Sequence, residues 1–342
     1  MRRLRACLRT PRIDHAARFA LLAWLFGLIG CYRWSQVPAG VSQTLFELPV
    51  DGLLQRYTAL LPTQSLPANQ KRRPAVLVLH SGFSGDETTS ADLARELALR
   101  GFVVVLPAYR GQVRRVDGQR SEGKIEFCRG EVNDAEAALT WLRQHEGVDG
   151  ARIGALGMSH GGCIALRLAQ RAPALRALVT MSAPVAAAPL IEHLQSTPFQ
   201  MFFYNGILAS QLRGYVQTQP AQQALALAER SPVQVPMSLQ MPMLVLHGTE
   251  DQMVPIEQAC WLRQSLQRSG RAIHDSQIDT WGKLVKLKNN PCGIESYDIN
   301  INSKLPAVQF VFLDKEDHIY SSRVKRAAHQ LAIEFLRTEL QP

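Results

Sequence analysis

Short apolar runs alternate with amphipathic segments along most of the chain. Two strand-like runs come first, at residues 44–48 and 54–61, and strand-like and helix-like segments then follow one another to the C-terminus. Alternation of this kind predicts an α/β fold with a mostly parallel, twisted sheet and helices on both faces. Because such folds often exceed about 200 residues as one domain, we predict a single domain over residues 44–342.

The alternation is interrupted between the strand-like run at residues 175–181 and the run that begins at Met243. About 60 residues separate the two runs, far more than a simple crossover needs. We predict a helical cap insertion at about residues 185–240, here called the cap segment. Its aromatic cluster either lines an acyl or aryl pocket or fixes the cap to the core. The cluster consists of Phe199, Phe202, Phe203 and Tyr204.

A second interruption, here called the polar insertion, covers about residues 270–306. Its first half contains Trp281 and three lysines, Lys283, Lys286 and Lys288. A segment of this length without secondary structure of its own is either functional or partly disordered. Its lysines either attract anionic substrates or lipid headgroups, or they are simply solvated.

The clearest chemical motif is G-x-S-x-G, with Ser159 at its centre and Gly157 and Gly161 at its ends. It lies between a strand-like run, residues 152–156, and a helix-like run, residues 163–170. A serine on a sharp strand-to-helix turn exposes its hydroxyl, and the turn closes only when the flanking positions lack side chains. The motif therefore predicts a nucleophilic serine, and the alternative is a glycine-rich helix start without a chemical role.

Two further strand-like runs end in candidate partners for this serine. Residues 243–247 lead into Glu250 and Asp251, and residues 307–313 lead into His318. A serine hydroxyl needs a base to take its proton, and the base needs a carboxylate to orient it. Ligands of open α/β sheets bind at the carboxyl ends of the strands, so we expect these groups to meet at that edge.

The segment from His247 to Pro255 resembles the H-G-x-x-D-x-x-V-P block of α/β-hydrolases. Residues 107–111 and 130–134 are similar to segments of the prolyl-oligopeptidase-like and dienelactone-hydrolase-like members of that superfamily. The resemblance runs from about residue 44 to the C-terminus and implies the α/β-hydrolase fold. It also implies a catalytic triad in the chain order serine, acid, histidine. The implied triad is Ser159, Asp251 and His318.

Acyl transfer also requires N–H donors that meet the negative charge on the former carbonyl oxygen. One donor is predicted to be the backbone N–H of His160, the residue after the nucleophile. The loop after residues 75–80 is similar to the family's H-G-x-x-G loop with one residue more. That extra residue leaves Gly82 and Phe83 as alternatives for the second donor. A plain glycine and serine turn is the remaining interpretation of this loop.

The other histidines near these motifs have structural interpretations. His80 and His247 each end a strand-like run and are predicted to be buried braces of the loops that follow. The side chain of His160 is expected to point away from Ser159, because neighbouring residues of such a turn diverge.

Neither a metal nor an organic cofactor is predicted, because the sequence contains no H-E-x-x-H motif and no C-x-x-C pair. The net charge of +9 does not indicate nucleic-acid binding either. Seven arginines in residues 1–33, opposed only by Asp14, supply most of that charge. The rest of the chain has no basic helix with interleaved aromatic residues.

The N-terminal segment, residues 1–43, is predicted to target or anchor the protein. A 12-residue apolar run at residues 19–30 suits a signal peptide and is short of the roughly 20 residues that span a membrane. Residues 28–31 resemble a bacterial lipobox. The alternatives are a lipoprotein anchored at Cys31, an uncleaved signal anchor, a secreted protein cut near Ala39, and a chance apolar stretch. We expect a cell-envelope protein that contacts the membrane through this segment.

Export would allow the cysteines to oxidise, and three pairings are open to the four that follow the N-terminal segment. Cys163 is predicted to be a buried apolar residue in the helix after the serine. At most one disulfide is expected, with Cys292 as a member. The four cysteines are Cys128, Cys163, Cys260 and Cys292.

Together these features predict a serine hydrolase that cleaves carboxylic esters through an acyl-serine intermediate. A serine peptidase or amidase acting on small peptides is the alternative, because it uses the same triad. Prolyl oligopeptidases carry a propeller before the hydrolase domain, and only about 43 residues precede the first strand-like run here, which favours the ester hydrolase. An acyltransferase and a non-catalytic binding protein are further alternatives.

Overall fold

The computed structural model describes residues 37–66, 68, 70–81, 90–196, 220–234, 239–293 and 308–340. Strands and helices both contribute to the hydrophobic core within these residues. The described strands are β1 (Val41–Val50), β2 (Leu53–Pro62), β3 (Arg73–Leu79), β4 (Val103–Ala108), β5 (Val113–Arg114), β6 (Gln119–Arg120), β7 (Val148–Met158), β8 (Ala177–Met181), β9 (Met243–Gly248), β10 (Ile273–Ile278), β11 (Leu284–Lys286) and β12 (Val308–Leu313).

Ten of these strands form one sheet in the order β1-β2-β4-β3-β7-β8-β9-β12-β10-β11, and β5 pairs with β6 in a separate ribbon. From β4 to β10 every neighbouring pair is parallel. The β1–β2, β2–β4 and β10–β11 pairs are antiparallel. The predicted mostly parallel sheet is thus confirmed.

Helices cover both faces of this sheet. On β7, Ala155 belongs to the core cluster that includes residues of α2 and α3, whereas Gly154 lies against Leu336 and Leu340 of α7. Successive strand residues point to opposite faces, so α7 packs on the face opposite α2 and α3. The described helices are α1 (Ala91–Leu99), α2 (Gly130–Gln144), α3 (His160–Arg171), α4 (Ala187–Gln195), α5 (Pro220–Ala228), α6 (Glu257–Arg268) and α7 (Ser322–Leu340).

A two-residue turn at Asp51 and Gly52 joins β1 to β2. Both residues have positive φ, 53° and 76°, which is the backbone that an Asp-Gly hairpin turn requires. The two strands extend further than the apolar pattern predicted, because pairing continues from Val41↔Pro62 to Val50↔Leu53. The turn projects the Asp51 carboxylate toward Arg110, which becomes important below.

The cap segment is helical where it is described. It contains α4, α5 and a 3-10 turn at Pro232–Gln234. Residues 197–219 and 235–238 lie outside the described part, so Phe199, Phe202, Phe203 and Tyr204 also lie outside it. Their predicted contribution to a substrate pocket stays a prediction.

The polar insertion contributes two strands to the sheet, β10 and β11, rather than forming only a loop. The central residues of β10 are polar, from His274 to Gln277, so the apolar signal of a strand is missing. What holds β10 in place is tertiary: it pairs with β12. In addition, the buried Arg263 of α6 forms a bidentate ion pair with Asp275, with Nη2–Oδ2 at 2.6 Å.

Two disulfides are present in the described residues, Cys128–Cys163 and Cys260–Cys292. The participation of Cys292 is as predicted, but the limit of one disulfide and the role of Cys163 as a free apolar residue were wrong. The paired Cα atoms lie 5.9 and 5.3 Å apart although 35 and 32 residues separate them in sequence. Only the fold brings them together, so spacing alone could not choose the pairs.

Residues 1–36, including Cys31, lie outside the described part, and the predicted targeting role of this segment stays a prediction. Among the helices that the structure does describe, none has the length and apolar character needed to cross a bilayer.

Candidate active site

Ser159 occupies a strained turn between β7 and α3. Its φ is +53°, a backbone conformation that residues other than glycine rarely adopt. A Cβ on Gly157 would collide with the Gly161 carbonyl, and a Cβ on Gly161 would collide with the Leu79 carbonyl of β3. The turn therefore requires glycine at both positions, which is the steric reason for the G-x-S-x-G spacing.

The structure brings Ser159, His318 and Asp251 together from the ends of three strands. Ser159 follows β7, Asp251 follows β9 and His318 follows β12. The Ser159 Oγ lies 2.9 Å from His318 Nε2, and His318 Nδ1 lies 2.9 Å from Asp251 Oδ2. In this arrangement Nδ1–H donates to the carboxylate, which leaves Nε2 free to accept the serine proton. The geometry is that of a general base held in the useful tautomer.

The Asp251 carboxylate is buried and held ionised. Burial alone would raise its pKa, but the hydrogen bond and charge of His318, together with weaker neighbouring interactions, bring it below its usual value. The backbone N–H groups of Met253 and Val254 donate to Oδ1 at 3.0 and 2.8 Å. A buried anion at this point stabilises positive charge on His318, which develops when the base takes a proton.

Two histidines brace loops, as predicted. His247 is buried and its Nε2 donates to the Val254 carbonyl at 2.7 Å, across the turn that carries Asp251. Burial lowers the pKa of His247, so this imidazole stays neutral beside the carboxylate. His80 is also buried, with Nε2 3.0 Å from the Pro107 carbonyl and its ring stacked on Tyr109.

The loop that carries His318 is fixed to the loop that carries Asp251. Asp317 Oδ1 accepts hydrogen bonds from the N–H groups of His318 and Gln252, at 2.6 and 2.9 Å. The Glu250 N–H donates to the Glu316 carbonyl at 3.0 Å. These bonds set the relative position of base and acid through the backbone, independently of the ion pair between them.

The side chain of His160 points away from Ser159, as predicted. Its Nε2 accepts a hydrogen bond from the Cys128 N–H at 3.1 Å, and its ring stacks on Phe127 with centroids 5.0 Å apart. Its backbone N–H, at the start of α3, is the predicted first oxyanion donor. Gly82 and Phe83 lie outside the described residues, so the second donor stays a prediction.

We expect His160 to make stability depend on pH. Burial lowers the pKa of its imidazole from 6.5 to about 3, so unfolding below pH 6.5 binds a proton that the folded state excludes. The contribution of this group is present above pH 6.5 and is lost as the pH falls toward 3. Between pH 7 and pH 5 the loss is about 2 kcal/mol.

Urea unfolding of the wild type and of His160→Gln at pH 7 and pH 5 measures this effect. Glutamine keeps an acceptor for the Cys128 N–H but does not titrate. The variant should lose about 2 kcal/mol less than the wild type between the two pH values, whatever its absolute stability. An equal loss of unfolding free energy in the two proteins would contradict the contribution assigned to His160.

A network of hydrogen-bonded charged side chains beside His160 was not predicted from the sequence. It is here called the wall and consists of Arg110, Glu126, Glu131 and Asp134. Glu131 is a fully buried carboxylate that accepts the N–H groups of Glu126, Phe127 and Arg129. These bonds hold Phe127 and Cys128, both with positive φ, in the loop that contacts His160. Residues 130–134 carried a family resemblance, but nothing local indicated that Glu131 is a loop brace.

Arg110 is the centre of the same wall. Its guanidinium, only 4% exposed, bonds Asp134 at 2.9 Å, Glu126 at 2.8 Å and Asp51 at 2.8 Å. These partners come from α2, from the loop before it and from the β1–β2 turn. Arg110 and Asp134 lie in the two family-like blocks, residues 107–111 and 130–134, but only the fold brings these blocks together.

A cleft of about 380 Å³ lies beside the loop that carries Asp251, residues 249–256, here called the acid loop. It opens between α4 of the cap segment and the first turns of α6. Its lining includes Pro189, His193, Glu250, Asp251, Ile256 and Trp261. Asp251 lines this cleft, whereas Ser159 and His318 do not, so the cleft borders the acid and not the nucleophile.

Comparison with known sequences places the chain in a family. The model of the prolyl oligopeptidase family (Peptidase_S9) matches residues 90–281. Acylamino-acid-releasing enzyme 2 of rice (Oryza sativa subsp. japonica) is 25% identical over 209 residues, 60% of this chain and 27% of the rice enzyme. The uncharacterized peptidase YtmA of Bacillus subtilis is 25% identical over 224 residues, covering 66% of this chain and 81% of that one.

A third relative has a different activity in its name. A probable 2-oxo-3-(5-oxofuran-2-ylidene)propanoate lactonase of a Bradyrhizobium species is 36% identical over 119 residues, 33% of this chain and 47% of the lactonase. The chain thus spans less than half the length of the rice and Bradyrhizobium proteins.

A solved structure supports the same fold. A puromycin-hydrolyzing peptidase of Mycobacterium tuberculosis superposes with a TM-score of 0.64 at 16% identity, over 89% of this chain and 40% of that one. At this identity the likeness establishes the α/β-hydrolase fold. With residues 90–281 matched, more than half of its length, the chain belongs to the prolyl oligopeptidase family of serine hydrolases.

Proposed function

We propose that the chain is a serine peptidase or amidase that cleaves small peptides through an acyl-serine intermediate. The observation that carries this proposal is the continuous hydrogen-bond relay from Ser159 through His318 to the buried Asp251. Membership of the peptidase family supports amide bonds over the carboxylic esters that the sequence alone favoured. The names of the rice, Bacillus and Mycobacterium relatives point the same way.

These hydrogen bonds account for the acylation of Ser159. His318 Nε2 takes the Ser159 proton as Oγ attacks the amide carbon, and Asp251 stabilises the imidazolium that forms. The backbone N–H of His160, with Gly82 or Phe83 as the second donor, meets the negative charge on the carbonyl oxygen. His318 then gives its proton to the departing amine, and the acyl group remains on Ser159.

Deacylation uses the same groups in the reverse roles. Water replaces the amine, His318 takes a proton from it, and the hydroxide attacks the acyl carbon. Ser159 recovers its proton as the ester bond breaks, and the carboxylic acid leaves. An amine is a poor leaving group unless protonated, so the preorganised base is more important for amides than for activated esters.

Hydrolysis of carboxylic esters is the second candidate. The lactonase relative is the specific observation in its favour, because a lactone is an internal ester and the shared segment is 36% identical. The two candidates share every catalytic group, so they differ in what the substrate pocket accepts.

A substrate panel separates the two candidates. The panel consists of free and N-acylated aminoacyl and dipeptidyl p-nitroanilides, p-nitrophenyl esters of several chain lengths, and a simple lactone. We expect turnover of at least one anilide, because in the proposed mechanism His318 protonates the amine that leaves. Ester turnover without anilide or peptide turnover would overturn the peptidase proposal and support the ester hydrolase.

A further inference from the structure

We propose that Tyr320 and Ser182 form a positioning pair that holds His318 against Ser159. This inference rests on the proposed function and concerns residues that neither the motifs nor the family resemblance singled out. Tyr320 lies two residues after His318, and its hydroxyl is 2.9 Å from Ser182 Oγ. Both side chains are buried, at 7% and 1% exposure. Burial raises the pKa of Tyr320, so the hydroxyl keeps its proton.

Ser182 belongs to the structure that fixes the nucleophile. It directly follows β8, and the carbonyl of its neighbour Met181 accepts the Ser159 N–H at 2.8 Å. The Ser182 N–H itself donates to the Leu246 carbonyl of β9 at 2.9 Å. Its φ is +45°, so this short segment is held in an unusual backbone conformation. The position of Ser182 is therefore coupled to that of Ser159 through one peptide unit.

The base loop, residues 314–321, has other anchors that serve a different purpose. Asp317 and the Glu316 carbonyl attach it to the acid loop, and the Glu316 carboxylate binds Ser321 at the start of α7. These bonds orient the base toward the acid. They do not fix its distance from the nucleophile.

Within the part of the chain that the structure describes, two side-chain hydrogen bonds join the base loop to the ends of β7 and β8. One is the reactive contact between His318 and Ser159, and the other is the contact between Tyr320 and Ser182. The reactive contact breaks and re-forms in every catalytic cycle. The second contact persists, so it can keep the imidazole in place while the serine proton is away.

Loss of this contact is expected to act on kcat. A displacement of about 1 Å in a catalytic group lowers the rate about 100-fold, because the reacting atoms leave their productive geometry. Neither Tyr320 nor Ser182 offers a surface to a substrate, because both side chains are buried. Substrate binding should therefore change little, and KM should stay close to that of the wild type.

The test is a double-mutant cycle with Tyr320→Phe, Ser182→Ala and the double variant. We expect each single variant to lower kcat roughly 10- to 100-fold with KM nearly unchanged. The double variant should be no slower than the slower single variant, because both substitutions remove the same bond. Tyr57→Phe is the matched control. It removes another buried tyrosine hydroxyl bond, to the Asp134 carbonyl at 3.0 Å, far from the base loop.

Labelling by a fluorophosphonate probe separates this proposal from the proposed function. The rate of labelling should fall with kcat in the three variants and stay unchanged in Tyr57→Phe. Wild-type protein that takes no label would overturn the proposed function and, with it, the positioning pair. Normal labelling rates in the variants, or additive losses in the double variant, would overturn the positioning pair alone. Urea unfolding of each variant shows whether a lost rate is only lost folding.

Discussion

Ser159→Ala is expected to lower kcat/KM for the best substrate by about 10⁵- to 10⁶-fold. The serine hydroxyl is the group that forms the covalent intermediate, and among the described residues no neighbouring nucleophile is placed to replace it. Cys163 lies one helical turn further along α3 and is held in a disulfide with Cys128. A residual rate above that in water should remain, because the oxyanion donors and the binding surface are unchanged.

The measurement combines steady-state kinetics with fluorophosphonate labelling. Alanine adopts the strained φ of +53° no less readily than serine, so the free energy of unfolding should stay near that of the wild type. Ser269→Ala, an exposed serine after α6, is the matched control and should keep full labelling and turnover. Labelling that survives in Ser159→Ala, or a rate within tenfold of the wild type, would exclude Ser159 as the nucleophile.

Arg110→Met is expected to lower the free energy of unfolding by about 3–5 kcal/mol, the usual cost of breaking a buried ion pair from one side. The reason is Asp134, whose side chain is fully buried against the Arg110 guanidinium. Burial already raises the pKa of Asp134 to about 6, although Arg110 lowers it. Without Arg110 the carboxyl must take up a proton or remain as an unpaired buried charge. The loss should therefore be larger at pH 8 than at pH 6.

Two controls distinguish the buried charge from loss of packing. Arg110→Met combined with Asp134→Asn removes both charges of the buried pair, keeps an acceptor for the Arg110 backbone N–H at 3.0 Å, and should regain much of the lost free energy. Arg152→Met breaks the more exposed ion pair with Asp149 and should change stability by no more than about 1 kcal/mol. Urea unfolding measures all four proteins. An Arg110→Met variant as stable as Arg152→Met would contradict the central role of this wall.

The wall also connects stability to the site. Arg110 bonds Glu126, at the start of the loop that carries Phe127 and Cys128. That loop contacts the His160 ring through stacking and through the Cys128 N–H. Loosening Arg110 thus removes support from the residue whose N–H is predicted to bind the oxyanion.

Much of the fold could be predicted from the sequence because its signals are local. The parallel strands are buried on both faces, so they appear as continuous apolar runs, and the helices between them keep their own period. The steric demand for glycine on both sides of Ser159 is equally local. Asp251 and His318 follow strands directly, so the order of the strands along the chain already indicated which residues reach one edge of the sheet.

Local patterns failed where a residue depends on a partner distant in sequence. β10 is a strand because β12 and Arg263 hold it, although its own residues are polar. Three other features also join residues that sequence spacing does not relate. They are the disulfides, the bonds that Glu131 and Asp134 make through their buried carboxylates, and the hydrogen bond between Tyr320 and Ser182.

The sequence by itself determined the fold class, the strained serine turn and the three strand ends at which chemical groups meet. Each of these depends on the period of apolar residues or on sterics within a few neighbouring residues. Tertiary structure alone decided which cysteines pair, which charges are buried together and how the base loop is fixed to the nucleophile. Those features depend on distances between elements, which exist only once the whole sheet and its helices have assembled.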